Sequence, residues 1–303
     1  MKAVVVGMGV QGSKRKKFLG KNFKISVDVE KKSNYKNIKD VPSSLFDNVY
    51  ACVPDDKKLK IIKYSLNIKK NVLVEKPLIG KNSQIREIEK LARKKKVFVY
   101  TAYNHRFEPS LIKVKEIILK KTIGRIYSVK LFYGNGTSML VKKSKWRDKN
   151  KNKGIITDLG SHLLDICLFL FNSPIKNIKL IQSNRFENKS PDHALLTLKI
   201  KNIIVNMEMS YTSWKNSFYL DIVGSKGSLH INSLCKWSKS KLIVRKRKFP
   251  SGKPKEKIIN YKKGDPTWRL ENKYFINKVK SKSKTSLKKD ILINTSLNKL
   301  IKL

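Results

Sequence analysis

Cysteine, arginine and long apolar runs are all scarce in this chain of 303 residues. Its three cysteines, Cys52, Cys167 and Cys235, are too widely spaced for a disulfide framework or a zinc site. They suit a reducing compartment, and the cytoplasm is the expected location. The longest nearly apolar stretch, residues 163–171, contains Asp165 and is far too short to cross a bilayer. Only Ala3 to Val6 form an apolar run near the start, so no signal peptide is expected. Acidic residues are few, 22 against 69 Lys and Arg, and the formal net charge is +47. That excess invites a nucleic-acid reading, yet only 10 of the 69 are arginine, the residue suited to bidentate phosphate and base contacts. The charge is also spread, with +19 over residues 1–121 and +28 over residues 122–303, where a binding face would concentrate it. Solvated surface lysine, with some attraction of anionic substrates, accounts for the basicity. No nucleic-acid, membrane or metal partner is expected.

Hydrophobic residues make up 40% of the chain, with only 14 glycines and 9 prolines, which predicts a folded protein with room for two domains. Over residues 1–121, short β-like runs (2–6, 24–29, 49–53, 71–74 and 97–102) alternate with helical stretches (to about 19, 55–69 and 82–95). This pattern predicts a parallel sheet with crossovers. Residues 107–121 read as an amphipathic helix leaving that domain. Over residues 122–303 the pattern changes to successive strands (125–134, 175–184, 193–200, 203–211, 217–223 and 227–231), which favours an antiparallel sheet. One helix, 159–171, interrupts it, and 268–280 and 287–301 read as closing helices. The Lys-rich stretches 142–153 and 246–266 read as surface loops.

Gly7-Met8-Gly9-Val10-Gln11-Gly12 lies between the first strand and the first helix, the context a dinucleotide-binding loop requires. Gly7 permits the tight turn, Gly9 lets the backbone approach a pyrophosphate, and Gly12 allows close helix–strand packing. The helix start, with Val10 and Gln11, then offers free N–H groups and a positive dipole end to phosphate. Asp28 closes the second strand, where its carboxylate can accept from ribose hydroxyls and repel a 2′-phosphate. NAD is therefore expected in preference to NADP, although Lys31 and Lys32 follow closely. About 20 residues separate Asp28 from the Val49 strand, and they must hold a crossover and a further strand. The helix after the second strand is expected to be missing or reduced to a turn.

Glu75-Lys76-Pro77 follows the strand 71–74, which places Lys76 at the carboxyl edge of the sheet, where it can hold a substrate hydroxyl and steady an alkoxide. Asp158 and His162, four apart, share one face of a helical turn. The unperturbed imidazole pKa suits a histidine such as His162 to taking a hydroxyl proton near neutrality. Taken singly, Lys76 reads as a surface lysine and His162 as a core histidine. Trp146-Arg147, in a basic loop, is a candidate substrate contact. Asp165 is expected to fix the helix start or a neighbouring loop, and His105 to support the site.

With Asn104-His105-Arg106-Phe107 and Asp158-Leu159-Gly160-Ser161-His162 added to the glycine loop and Glu75-Lys76-Pro77, the chain resembles the glucose–fructose oxidoreductase and inositol 2-dehydrogenase family. The resemblance covers nearly the whole chain. It implies an N-terminal Rossmann dinucleotide-binding domain (1–121). It also implies a C-terminal α+β domain for substrate binding and oligomerisation (122–303), with a large, mostly antiparallel open sheet and a homo-oligomer. It makes Lys76, Asp158 and His162 the catalytic group, brings Glu75 and Asn104 toward the nicotinamide, and lines the cofactor groove with Pro54 and its neighbours. The implied activity is NAD(P)-dependent oxidation or reduction of a secondary alcohol or ketone in a sugar, cyclitol or nucleotide sugar. The alternative is a non-catalytic sensor or scaffold of the same fold. The sequence departs from the family at the short 29–48 interval and at Asp55-Asp56, where the family usually has Asn and His nearby.

Overall fold

The computed structural model describes residues 1–143 and 154–301, so Trp146 and Arg147 lie outside the described residues. Two compact units are present, residues 1–104 with 267–294, and residues 105–266 with 295–303.

The first unit is built on five parallel strands, β1 (Ala3–Val6), β2 (Phe23–Val27), β3 (Asn48–Ala51), β4 (Asn71–Glu75) and β5 (Val99–Ala102). Their spatial order is β2-β1-β3-β4-β5. All residues of β1, β3 and β5 are buried, as expected of parallel strands covered on both faces. Helices α1 (Val10–Leu19), α2 (Asp55–Asn67) and α3 (Asn82–Lys94) are the crossovers, with Ile62, Leu66, Ile85 and Ile88 in the core. The interval between β2 and β3 holds only two 3-10 turns, Ile38–Asp40 and Ser43–Leu45. The expected loss of the crossover helix is found. The further strand expected there is not formed, and a single bridge, Val27 to Tyr35, stands in its place. Twenty residues cannot supply both a crossover and a strand.

The second unit opens with α4 (Pro109–Leu119) and holds, among the described residues, eight strands: β6 (Ile126–Gly134), β7 (Ile175–Asn184), β8 (His193–Ile200), β9 (Ile203–Ser210), β10 (Ser217–Gly224), β11 (Gly227–Asn232), β12 (Ser240–Lys246) and β13 (Lys255–Tyr261). Their order is β13-β12-β11-β10-β6-β9-β8-β7, antiparallel except for the central β6–β9 pair. Burial alternates along β8 and β9: Leu196, Leu198, Val205 and Met207 face the core, while Ile204 and Glu208 face out. This unit also contains the short α5 (Ser138–Lys142) and the apolar α6 (Ser161–Phe171), entered through a π-helical turn at Ile156–Gly160. Residues 255–261, expected within a surface loop, instead form the edge strand β13. Its lysines are exposed, as charged edges usually are, and they mask its β pattern.

Two further helices close the chain, α7 (Thr267–Lys280) and α8 (Lys288–Ile301). The units do not part at 121/122. Helix α4 belongs to the second unit, where Glu108 accepts the Cys235 N–H (3.0 Å) and Ser240 donates to Ser110 (3.2 Å). Helix α7 returns to the first, where Phe275 packs edge-on against Tyr50, and the Tyr50 hydroxyl donates to Asn272 (2.5 Å).

Candidate active site

Parallel strands deliver their carboxyl ends to one edge, so the loops after β1, β2, β3, β4 and β5 lie together there. After β1, Gly7 has φ +90°, and a Cβ would stand 2.4 Å from the Cys52 carbonyl oxygen. A Cβ on Gly12 would stand 1.8 Å from the Gly7 carbonyl oxygen, so both positions exclude a side chain. Gly9 differs, because a Cβ there would enter open space. No side chain caps α1 and no acidic residue occupies its first turn, which leaves its positive end for an anion. Val10 is exposed, and the buried Oε1 of Gln11 has no hydrogen-bond partner.

Asp28 follows β2. Its Oδ2 accepts the Met8 N–H of the glycine loop (2.6 Å), and its Oδ1 accepts the N–H groups of Glu30 and Lys31 (2.9 Å each). Burial alone would raise its pKa, but these backbone donors outweigh it and hold the carboxyl below the usual range. Pro54 follows β3 and precedes α2.

At the end of β4, Glu75 is held by Arg15 (2.7 Å), whose other nitrogen meets Glu271 (2.7 Å), and the guanidinium lies 4.4 Å from the Trp268 ring centre. Burial raises the Glu271 carboxyl to about 7. Lys76 comes next, joined to Pro77 by a cis peptide. Lys58, only 2% exposed, reaches this loop from α2 and donates to the carbonyls of Lys76 (3.0 Å) and Pro77 (2.8 Å) while pairing with Asp55 (2.7 Å). Three donors thus meet three acceptors, and the backbone that carries Lys76 is pinned. After β5, the Asn104 side chain donates to Thr267 (2.8 Å).

In the second unit, the π-helical turn and the start of α6 present Asp158 and His162. Asp158 Oδ2 accepts from the Tyr211 hydroxyl (2.9 Å), and its backbone carbonyl accepts from Ser161 (2.9 Å). His162 is buried, and its Nδ1 lies 2.7 Å from Nδ1 of His105. His105 Nε2 lies 3.3 Å from Nζ of Lys236, which donates to the Tyr133 hydroxyl (2.7 Å). Arg106 pairs with the buried Asp165 through two hydrogen bonds of 2.9 Å and a third, shorter contact, which ties the 104–107 turn to α6.

Lys58, Lys236, Tyr133 and Tyr211 escaped the sequence reading. Nothing local distinguishes Lys236 among 59 lysines, and both lysines find their more distant partners through the fold. The Asp55–Lys58 spacing was the one available signal, since i,i+3 pairs on a helix meet.

Comparison with known proteins agrees with this architecture. Residues 1–103 match the family model described as the oxidoreductase family, NAD-binding Rossmann fold, and residues 111–230 match the GFO/IDH/MocA C-terminal domain. Glucose-6-phosphate 3-dehydrogenase of Bacillus subtilis is 25% identical over 165 residues, which is 53% of this chain and 45% of that enzyme. The chain spans about half or less of the length of the curated relatives it matches. Among solved structures, a putative NADPH-dependent oxidoreductase from Desulfitobacterium hafniense superposes with a TM-score of 0.86 at 18% identity, covering 99% of this chain and 94% of the other. Levoglucosan dehydrogenase in complex with NADH superposes at 0.82 and 14%, covering 100% and 97%. The chain belongs to the GFO/IDH/MocA family of oxidoreductases.

Proposed function

We propose that this protein moves hydride between NAD and a secondary alcohol or ketone of a sugar, cyclitol or nucleotide sugar. The observation that carries this reading is the carboxyl edge of the five-stranded sheet, which gathers Gly7–Gly12, Asp28, Pro54, Lys76 and Asn104 where doubly wound folds bind ligands.

The residues fit the cofactor: the space at Gly9 and the uncapped start of α1 suit a pyrophosphate. The loop N–H groups would hold it, Asp28 would take the ribose hydroxyls, and Pro54, Glu75 and Asn104 would line the remainder. Asp28 favours NAD over NADP, because its charge opposes a 2′-phosphate. When bound, a nicotinamide cofactor would supply the hydride acceptor for the carbinol carbon. The chain's own residues handle the hydroxyl: His162 takes its proton, Lys76 holds the oxygen and steadies its charge, and Asp158, fixed by Tyr211, orients the group. A sugar-like substrate accords with the names of the Bacillus subtilis and levoglucosan enzymes.

The test is a panel of sugars, cyclitols and nucleotide sugars with NAD and NADP separately, followed by the absorbance of the reduced nicotinamide. NAD reduction with at least one alcohol is expected. Dinucleotide binding without turnover on the whole panel would favour the sensor or scaffold reading, and no binding at all would end both.

We also infer a homo-oligomer, through the outer face of the eight-stranded sheet. The half-exposed Tyr219 and Ile204 and the nearby Ile181 lie on this face. Sedimentation at micromolar concentration checks it, and a clean monomer would overturn it.

No helix among the described residues is long and apolar enough to cross a membrane.

A further inference from the structure

The proposed chemistry leaves a proton on His162, and the second unit contains a path for it. Two of the four histidines, His105 and His162, share one hydrogen bond, Nδ1 to Nδ1 at 2.7 Å, with their rings nearly perpendicular. Since one hydrogen lies between the two nitrogens, one ring donates and the other accepts. The same constraint operates at the far nitrogen of His105, 3.3 Å from Lys236 Nζ. An ammonium can only donate. If Lys236 is charged, His105 Nε2 must accept, so the His105 proton sits on Nδ1 and is donated to His162, whose own proton is then on Nε2. If Lys236 is neutral, it can accept from His105 Nε2. The bond between the rings then reverses, and His162 Nε2 becomes a lone pair able to take a hydroxyl proton.

We propose that His105 and Lys236 form a proton relay behind His162, so that the state of Lys236 sets whether His162 is ready to accept a proton or to donate one. This rests on the dehydrogenase reading. In alcohol oxidation the substrate O–H bond breaks and its proton forms a bond to His162 Nε2, while hydride leaves the same carbon for the oxidised nicotinamide. The Nδ1 proton of His162 passes to His105 Nδ1, and the Nε2 proton of His105 passes to the Lys236 lone pair. The relay ends as an ammonium that donates to the Tyr133 hydroxyl. Ketone reduction runs the same chain backward, starting from that ammonium.

The surroundings of Lys236 let it hold either state near neutral to mildly alkaline pH. Burial pulls it down to about 8, against the pull of Asp265, Glu108 and Asp158 toward the charged form. The rings of Trp237, 4.3 Å away, and Tyr133, 5.1 Å away, also favour the cation. Its hydrogen-bond partners, His105 and Tyr133, are both uncharged in the relay, and among the described residues no salt bridge locks it. His105 and Lys236 act through His162 and are positioning residues.

The test needs no substrate. The full chain carrying ¹⁵N-histidine is titrated from about pH 7 to 10, above the usual range of imidazolium formation. Long-range ¹H–¹⁵N spectra report which nitrogen of each ring carries the proton, with resonances assigned from His105→Gln and His162→Gln. His105 Nε2 is expected to change from unprotonated to protonated, and His162 Nδ1 from acceptor to donor, in one shared transition near 8. Lys236→Met should abolish the transition. Lys236→Arg, always a donor, should hold His105 Nε2 unprotonated throughout, and it serves if the Met variant does not fold. Tautomers that never change in the wild type, or a transition that survives in Lys236→Met or Lys236→Arg, would overturn the relay. The alcohol panel reports separately on hydride transfer, so failure of either reading is seen without the other.

Discussion

The sheet edge of the first unit and the histidine cluster of the second secure their polar groups by different means. In the first, side chains at the sheet edge are fixed by backbone atoms or by opposite full charges. Asp28 accepts three N–H groups, Lys58 donates to two carbonyls and one carboxylate, and Glu75 lies against Arg15. In the second, His162, His105, Lys236 and Tyr133 hold one another through neutral or exchangeable groups. Two lysines show the contrast. Burial lowers the pKa of both, but Lys58 is paired with the Asp55 carboxylate, which pulls it back toward the charged form, whereas the hydrogen-bond partners of Lys236 are an imidazole and a phenol. The partners, more than the burial, decide whether a lysine is an anchor or a titrating group. A unit built the first way keeps its geometry as pH changes, and a unit built the second way can move protons.

The largest expected effect falls on turnover and tests both halves of the contrast. Lys76→Met and His162→Ala should each lower kcat by roughly 10²–10⁴, the range for general acid–base groups, with cofactor affinity little changed. Steady-state kinetics on the alcohol identified by the panel measures this. Near-normal turnover in both variants would end the catalytic assignment.

Lys58→Met should be the most damaging to stability. It leaves the carbonyls of Lys76 and Pro77 without their donor and Asp55 without its cation, a loss of about 3–5 kcal/mol by analogy with broken buried pairs. Thermal unfolding should show it as a drop on the order of 10 °C. Lys76 would lose its support as well, so kcat should fall while the dissociation constant for NAD holds. An unchanged melting temperature would show that the pin is dispensable.

This contrast was only half legible in the sequence. The turn at the glycine loop and the strand end at Asp28 could be placed because both depend on local backbone geometry, which leaves a fixed spacing. The alternating strands 193–200 and 203–210 could be read because one face is buried. The exposed edge strand 255–261 could not, since nearly all of its residues face water and no alternation survives. Lys58 and Lys236 were hidden for another reason. Their partners lie 18 and 131 residues away, at Lys76 and His105, and a lysine among many carries no mark of what it will meet.

A smaller effect follows from the pKa of Lys236. Folded, it releases its proton near 8; unfolded, near the ordinary 10.4 or so. Between those values the unfolded chain binds more protons, so stability rises with pH across that window, and below it the full cost of the buried ammonium remains. Urea unfolding of the wild type and Lys236→Met should therefore diverge. The wild type should gain roughly 1–3 kcal/mol relative to the variant between about pH 7.5 and 10. Parallel curves would mean that Lys236 does not titrate in this range, and the two lysines would then be alike.

The smallest effect tests the first unit's reliance on backbone contacts at the cofactor itself. Each Asp28 oxygen already accepts from the backbone, Oδ2 from Met8 and Oδ1 from Glu30 and Lys31, yet of the carboxylate's roughly four lone-pair sites one on Oδ2 remains for a ribose hydroxyl. Its pKa is held below the ordinary carboxyl range, so it stays charged throughout neutral pH and repels a 2′-phosphate. Asp28→Ser removes both the charge and the acceptor for Met8, and a hydrogen bond to a charged group is worth about 1.5–3 kcal/mol. NAD should bind roughly tenfold more weakly, while NADP, relieved of repulsion and with Lys31 and Lys32 nearby, should bind no worse than before. Titration of both reduced cofactors into wild type and variant measures the gap. Tighter binding of NADPH to the wild type would overturn the assignment. An unchanged gap in Asp28→Ser would show that Asp28 serves the glycine loop alone and leaves cofactor choice to other groups.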